Sequence, residues 1–451
     1  MLFPPQFFRP MSAATLIVSF GLGLSISAQA TEKAPPPLLA TYANIALDAY
    51  DNAESDVKKL QKSLSTFTSS TTAANLAAAK KAWLVSRESY GQTEIFRLSN
   101  GPVDAEEGWV EEAYGALEGQ INAWPLDENM IDYTVDAEGH RTSGNIIDTA
   151  GKFSPGGEDA ESVDTTSITV AVITALNENG GDANVASGYH AIEFLLWGQD
   201  QDYDNFVADK VTNGALVAGQ RPLADFTEDK FAKRRLAYLN TAADKLLADL
   251  GVISDAWSKK TSGNCDKDAT GCYRAAILGQ LKGADAAKNI PREAALKQIV
   301  AGMGVFLKSE LANERIAVAV LTPSEEDEHS CFSDNTHRDI ALNYLGFVNV
   351  LKGEYEGKGY GDSFYAKSSA ETKAKIDGLV TAIDAKVAHV NELAQSKWHF
   401  DYQIMPGNNA SEIRKMKNEM RMLGDAMVLV ANDLGLSLTE EDMTDPEETT
   451  F

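Results

Sequence analysis

Leu39-Ala40-Thr41-Tyr42-Ala43-Asn44-Ile45-Ala46-Leu47-Asp48-Ala49-Tyr50-Asp51-Asn52-Ala53 begins the stretch whose reading decides the fold. Its apolar side chains recur at three- and four-residue steps, and the same spacing runs on to Phe67. That is the stripe a helix of 3.6 residues per turn presents to a core. Thr72 to Leu98, Thr227 to Lys259, Arg292 to Val320 and Ala370 to Gln395 carry the same spacing and predict further helices. Ala, Leu, Lys and Glu fill these stretches, and none of the chain keeps a convincing strand period. Thr71-Thr72 and Thr227-Glu228-Asp229 are helix-start signals, and Pro291 stands where a first-turn proline is tolerated. The fold class is therefore all-α.

A chain of 451 residues exceeds the ~250–300 at which single cores stop growing, so two domains are expected. The break is placed at Gln220-Arg221-Pro222-Leu223-Ala224-Asp225, giving helical-bundle halves at 38–222 and 223–438. Each half leads from a long amphipathic helix to a histidine followed by Leu, an aromatic and Gly, at His190 to Gly198 and at His337 to Gly346. This pattern suggests a divergent internal duplication. The Gly- and Pro-rich stretches at 136–164, 178–186 and 352–362 read as loops, and 439–451 as a poorly ordered acidic tail.

Residues 1–30 read as a secretory signal. Met11 to Ser27 is apolar or small, and Ala28-Gln29-Ala30 has the form of a cleavage site. No later stretch is apolar enough to span a bilayer, so the mature chain is expected to carry no transmembrane helix. A formal charge of −26 argues against nucleic acid or anionic lipid as partners and is compatible with attracting cations. Cys265 and Cys272 bound a polar, Gly-flanked loop and, in an exported chain, read as a local disulfide; Cys331 is left over as a buried thiol.

The first chemistry-bearing group is Gly188-Tyr189-His190-Ala191-Ile192-Glu193, which runs into Phe194-Leu195-Leu196-Trp197. An imidazole and a carboxylate three residues apart share a helix face. A carboxylate among such apolar neighbours is costly unless paired, protonated or metal-bound. Two ligands to one ion is one reading; a salt-bridged Glu193 beside a packed His190 is the other. A second group, Trp83, Arg87, Tyr90, Glu94 and Arg97, falls on one stripe and suggests a polar seam in which Glu94 is hydrogen-bonded. A third comprises Glu310 and Glu314, and then Ser333, Asp334 and His337. Ser333 and Asp334 either cap the next helix or present polar groups to a shared cleft. Glu325, Glu326, Asp327 and Glu328 read as a solvated charge run. Of the histidines, only His190 and His337 stand in promising contexts. The His-Glu-x-x-His helix, the Gly-x-Ser-x-Gly elbow and the Gly-rich phosphate loop are absent from the sequence.

Gly188-x-His190-x-x-Glu193 is similar to the signature of the imelysin-like family, also classed as M75 peptidases. Trp83-x-x-x-Arg87-x-x-Tyr90-x-x-x-Glu94-x-Phe96-Arg97, Ile121-Asn122-Ala123-Trp124-Pro125-Leu126-Asp127 and Cys331-Phe332-Ser333-Asp334-Asn335-Thr336-His337 resemble further family features. The last is similar to the iron-regulated, cyanobacterial-type branch. The resemblance covers roughly residues 38–438. It implies two helical domains with the motif near their interface, a periplasmic or cell-envelope location, and a link to iron uptake with envelope iron-uptake proteins as partners.

The expectation is an exported binding protein for a metal ion or small ligand. His190 and Glu193 are its contacts, completed by Glu94, Asp334 and His337 and supported by Arg87, Tyr90, Ser333 and Trp83. Oxygen ligands with imidazole suit iron or zinc. The alternative is a metal-dependent peptidase, which needs about three protein ligands, an open position and a general base.

Overall fold

The periodic stretch at Leu39 becomes α1 (Pro37–Ser69), which opens on a proline whose missing N–H would have had no helical partner. Residues 36–135, 139–200, 217–321 and 327–445 are described by a computed structural model. Over them the chain is all-α. α1 buries Leu39, Tyr42, Ala46, Ala53, Val57, Leu60 and Phe67 against α2 (Ala73–Tyr90) on one side. The Thr72 hydroxyl caps α2, accepting from the Asn75 N–H at 3.2 Å. α2 stops at Tyr90 rather than Leu98. The chain turns at Gly91, enters a single 3₁₀ turn (Glu94–Phe96), and holds Leu98 and Asn100 at φ 59° and 53°, which no right-handed helix contains.

α3 (Gly188–Trp197) is buried along its whole length and packs between α2 and α4 (Ala232–Ala256), which also runs along α1. Gly188 makes this approach feasible. Its φ is +84°, and a Cβ there would lie 2.4 Å from the Ile121 carbonyl oxygen. Gly188→Ala is expected to cost about 2–4 kcal/mol from the strained φ and the overlap together, read as a lower denaturant midpoint at unchanged slope.

The periodic stretch from Arg292 is one continuous helical run of unequal winding. α5 (Arg292–Val305) passes into a π-helix (Phe306–Ala317) and a last turn, Val318–Leu321. α6 (Thr336–Lys352), α7 (Ala370–Ser396) and α8 (Ala410–Asp425) complete the second half, with α8 against both the π-helix and α7. Strands are limited, among the described residues, to two short antiparallel ladders. These are Lys152–Phe153 with Val163–Asp164 and Glu354–Tyr355 with Lys358–Gly359, both inside stretches read as loops.

One apolar core runs from Leu38 to Met443, on both sides of Pro222, and residues 35–451 form one compact unit. The elements paired by the sequence pattern differ in length, 10 residues for α3 and 17 for α6. Cys265 and Cys272 form a disulfide, and Cys331 is buried outside it. The tail is not loose at 439–445. Met443 is fully buried, the Lys308 ammonium donates to the Thr444 hydroxyl at 2.6 Å, and the Asp445 N–H donates to Ser309 at 3.0 Å. No described helix is long and apolar enough to cross a membrane. The signal assigned to residues 1–30, the residues 136–138 and the end of the tail lie outside the described residues.

Candidate functional site

The one-turn spacing of His190 and Glu193 on α3 becomes a contact, with His190 Nδ1 2.9 Å from Glu193 Oε2 and both side chains fully buried. The other carboxylate oxygen, Oε1, accepts from the Ser333 N–H at 3.0 Å and the Ser333 hydroxyl at 2.6 Å. Ser333 therefore anchors Glu193 from the far half of the chain. Burial, only partly offset by these bonds, pushes the Glu193 carboxyl up to about 8.

On its far side, His190 meets a histidine that the sequence reading passed over. His190 Nε2 and His329 Nε2 are 3.3 Å apart, and His329 Nδ1 is 2.8 Å from Asp339 Oδ2. Asp339, on α6, is fully buried. It accepts from the Ser330 hydroxyl at 2.5 Å and from Arg87 Nε at 3.2 Å, with Arg87 Nη2 at 3.0 Å. Against the penalty of burial, Arg87 and His329 hold its carboxyl far below the usual range. Burial pushes both imidazoles down, His190 the further, with His329 adding to its shift. Trp124 closes one side, its ring centroid 4.9 Å from His190 and 6.2 Å from His329.

The row Glu193–His190–His329–Asp339 has three gaps, and each needs one proton. A neutral Glu193 satisfies all three in the metal-free chain. Glu193 O–H donates to His190 Nδ1, His190 Nε2–H to His329, and His329 Nδ1–H to the Asp339 carboxylate. The folded chain thus keeps a proton on Glu193 that the unfolded chain releases above its ordinary value of about 4.5, so this group's contribution to stability falls as pH rises from there to about 8. Glu193→Gln removes the dependence. The stability difference, wild type minus variant, measured in chelator, should fall by up to about 5 kcal/mol across that window.

The remaining expected residues do not gather at His190. Glu94 lies in a neighbouring buried network, bonded to Arg315, accepting from Asn343 at 3.2 Å and 3.9 Å from Arg87. Trp83, Arg87 and Tyr90 do share a face of α2. There Tyr189 is packed against both rings, the Arg87 guanidinium lies 4.9 Å from the Tyr189 ring centroid, and Trp83 donates to the Tyr189 carbonyl at 3.0 Å. Asp334 and His337 belong to a separate cluster. His337 Nδ1 is 3.1 Å from the Asp334 carbonyl oxygen, and the Asp334 carboxylate pairs with His399. Burial, then the nearby His399, lower His337 to about 4. Ser333 anchors Glu193 rather than capping α6. Glu328, read as solvated, is instead 1% exposed, while Glu325 and Glu326 lie outside the described residues.

His329 also lines a polar cavity of about 270 Å³. Arg97 and Arg315 stand in it with Glu118, Glu178, Asp182, Glu310, Glu314 and Asp327, so its lining is dominated by carboxylates. Glu310 accepts from Arg97 at 2.7 Å and Arg315 at 2.9 Å. These two guanidinium groups outweigh its burial and hold it down at about 2.

These features define an all-α protein with a buried imidazole pair, each imidazole backed by a carboxylate, beside an acidic cavity. A model of the imelysin family, peptidase M75, matches residues 46–424, and the chain belongs to that family. An iron-regulated protein A from Synechococcus elongatus is 31% identical over 87 residues, which are 19% of this chain and 21% of that protein. A crystal structure from Parabacteroides distasonis, provisionally named as an iron-regulated protein A precursor, shares the fold. Its TM-score is 0.59 at 18% identity, covering 88% of this chain and 94% of that one.

Proposed function

We propose that the protein binds a transition-metal ion, iron or zinc, through His190 Nε2 and His329 Nε2, in the service of iron acquisition at the cell envelope. The imidazole pair carries the reading. Two imidazoles on one tetrahedral ion at about 2.0–2.1 Å place their nitrogens roughly 3.3 Å apart, and these two stand at 3.3 Å. Both Nδ1 atoms face carboxylates, Glu193 and Asp339, so an ion that displaces the proton between the two Nε2 atoms leaves each imidazole with its proton on Nδ1, against an ionised carboxylate, and Nε2 free to ligate. Glu193 is then a positioning residue rather than a ligand. The iron-regulated names of its relatives, and the leader expected at residues 1–30, supply the iron and envelope parts of the reading.

The carboxylate-lined cavity supplies a route for a cation or its chelate, and Arg97 and Arg315 supply donors for an acidic chelator. The peptidase alternative is weaker here, because two imidazoles fall short of about three protein ligands. It predicts chelator-sensitive cleavage of an unfolded protein.

The test is calorimetry with Zn²⁺ and with Fe²⁺ under anaerobic conditions, wild type beside Glu193→Gln. Stoichiometric binding weakened about 10–100-fold by the variant is expected. Wild-type protein that takes up neither metal would remove the reading.

A further inference from the structure

We infer that a second cation site, for a hard divalent ion, lies in the carboxylate cluster of Asp200, Asp334 and Asp401, with Glu328 and His399 beside it. The three aspartates are 3–4% exposed, and each offers an oxygen within 4.8 Å of the other two. Ligand oxygens about 2.1–2.4 Å from one shared ion can be no more than about 4.8 Å apart. The aspartates come from three places in the chain, after α3, before α6 and in the short helix Phe400–Gln403. Only tertiary folding puts three anionic groups together there.

Glu328 is the independent sign that something is held. Both its oxygens are buried and neither has a hydrogen-bond partner; the Thr336 hydroxyl lies nearby, outside bonding geometry. A buried, unbonded carboxylate costs several kcal/mol by itself, and its electrostatic neighbours are Asp401, Asp334 and Asp200, all of the same sign. A cation among them would remove the repulsion. His399 pairs with Asp334 and adds one imidazole to an otherwise all-oxygen set, which suits Mn²⁺ and Ca²⁺ better than a soft ion. Asp200 lines a cavity of about 80 Å³ that gives a route in. Arg221 shares that cavity, but its guanidinium is bonded to Asp132 at 2.7 Å and lies 3.4 Å from Asp225.

The site is separate from the imidazole pair, although one segment builds both. Glu328 and Asp334 turn to the carboxylate cluster, while His329 and Ser333 turn to His190 and Glu193.

The test uses a His190→Ala/His329→Ala chain, so that failure of the imidazole site cannot be mistaken for failure of this one. Mn²⁺ is titrated with its paramagnetic resonance signal as readout, and Ca²⁺ is followed by thermal shift. One Mn²⁺ per chain is expected, with affinity reduced at least about 100-fold by adding Asp200→Asn or Asp401→Asn. The same Asn variants should lose the upward thermal shift that Ca²⁺ gives the parent. No bound Mn²⁺ in the double-alanine chain, or equal binding after Asp401→Asn, would overturn the site.

Discussion

His329→Ala is expected to remove transition-metal binding as completely as His190→Ala, although the family motif contains only His190. The two imidazoles are placed alike, each with Nε2 toward the other and Nδ1 on a buried carboxyl group. Either deletion leaves one nitrogen ligand, and affinity should fall by well over the 10–100-fold typical of outer-shell changes. The measurement is metal content after dialysis against limiting Zn²⁺, with circular dichroism to show that the helices persist. If His329→Ala keeps full occupancy while His190→Ala does not, His329 is not a ligand. The pair would then be a packing contact.

The largest effect on stability is expected at Asp339→Asn, about 3–5 kcal/mol. Arg87 is fully buried, and Asp339 is its nearest carboxylate, at 3.0 Å, with Glu94 farther at 3.9 Å. Neutralising Asp339 leaves a buried guanidinium poorly compensated and takes the acceptor from His329 and Ser330. Because the Asp339 carboxyl is held far below its ordinary value, its contribution is full above that value and persists well into acid, disappearing only as pH falls through the native one. Urea melts of Asp339→Asn, Arg87→Gln and the double variant test this. The two single costs should be strongly non-additive, since most of each is the charge it strands. Additive losses would refute the coupling.

The long helices were legible because their apolar spacing is local, and α1 and α7 match their expected limits within two residues. The end of α2 was not, because Gly91 to Asn100 is shaped by contacts rather than propensity; Gly91 packs against Leu342. The motif pair His190 and Glu193 was legible through its spacing and apolar setting. His329 was not, because its partners are 139 residues away on α3 and ten residues ahead on α6. Its immediate neighbours, acidic and polar, matched the pattern of a solvated run. Glu328 was misread for the same reason. A run of carboxylates looks like surface until the fold shows which of them turn inward.

The winding of the π-helix at Phe306–Ala317 has a bearing on how this gene can vary. Its wider turn sets Glu310 and Arg315, five positions apart, side by side at 2.9 Å, and from there Arg315 reaches Glu94. Ordinary α-winding over the same residues would set positions five apart at about 140° around the axis. Arg315 would swing away from the cavity, and Val318 to Leu321 would turn with it. Length changes should therefore be rare among descendants of this sequence between 306 and 317 and common in exposed connections such as 154–162, where the backbone has no such register to keep.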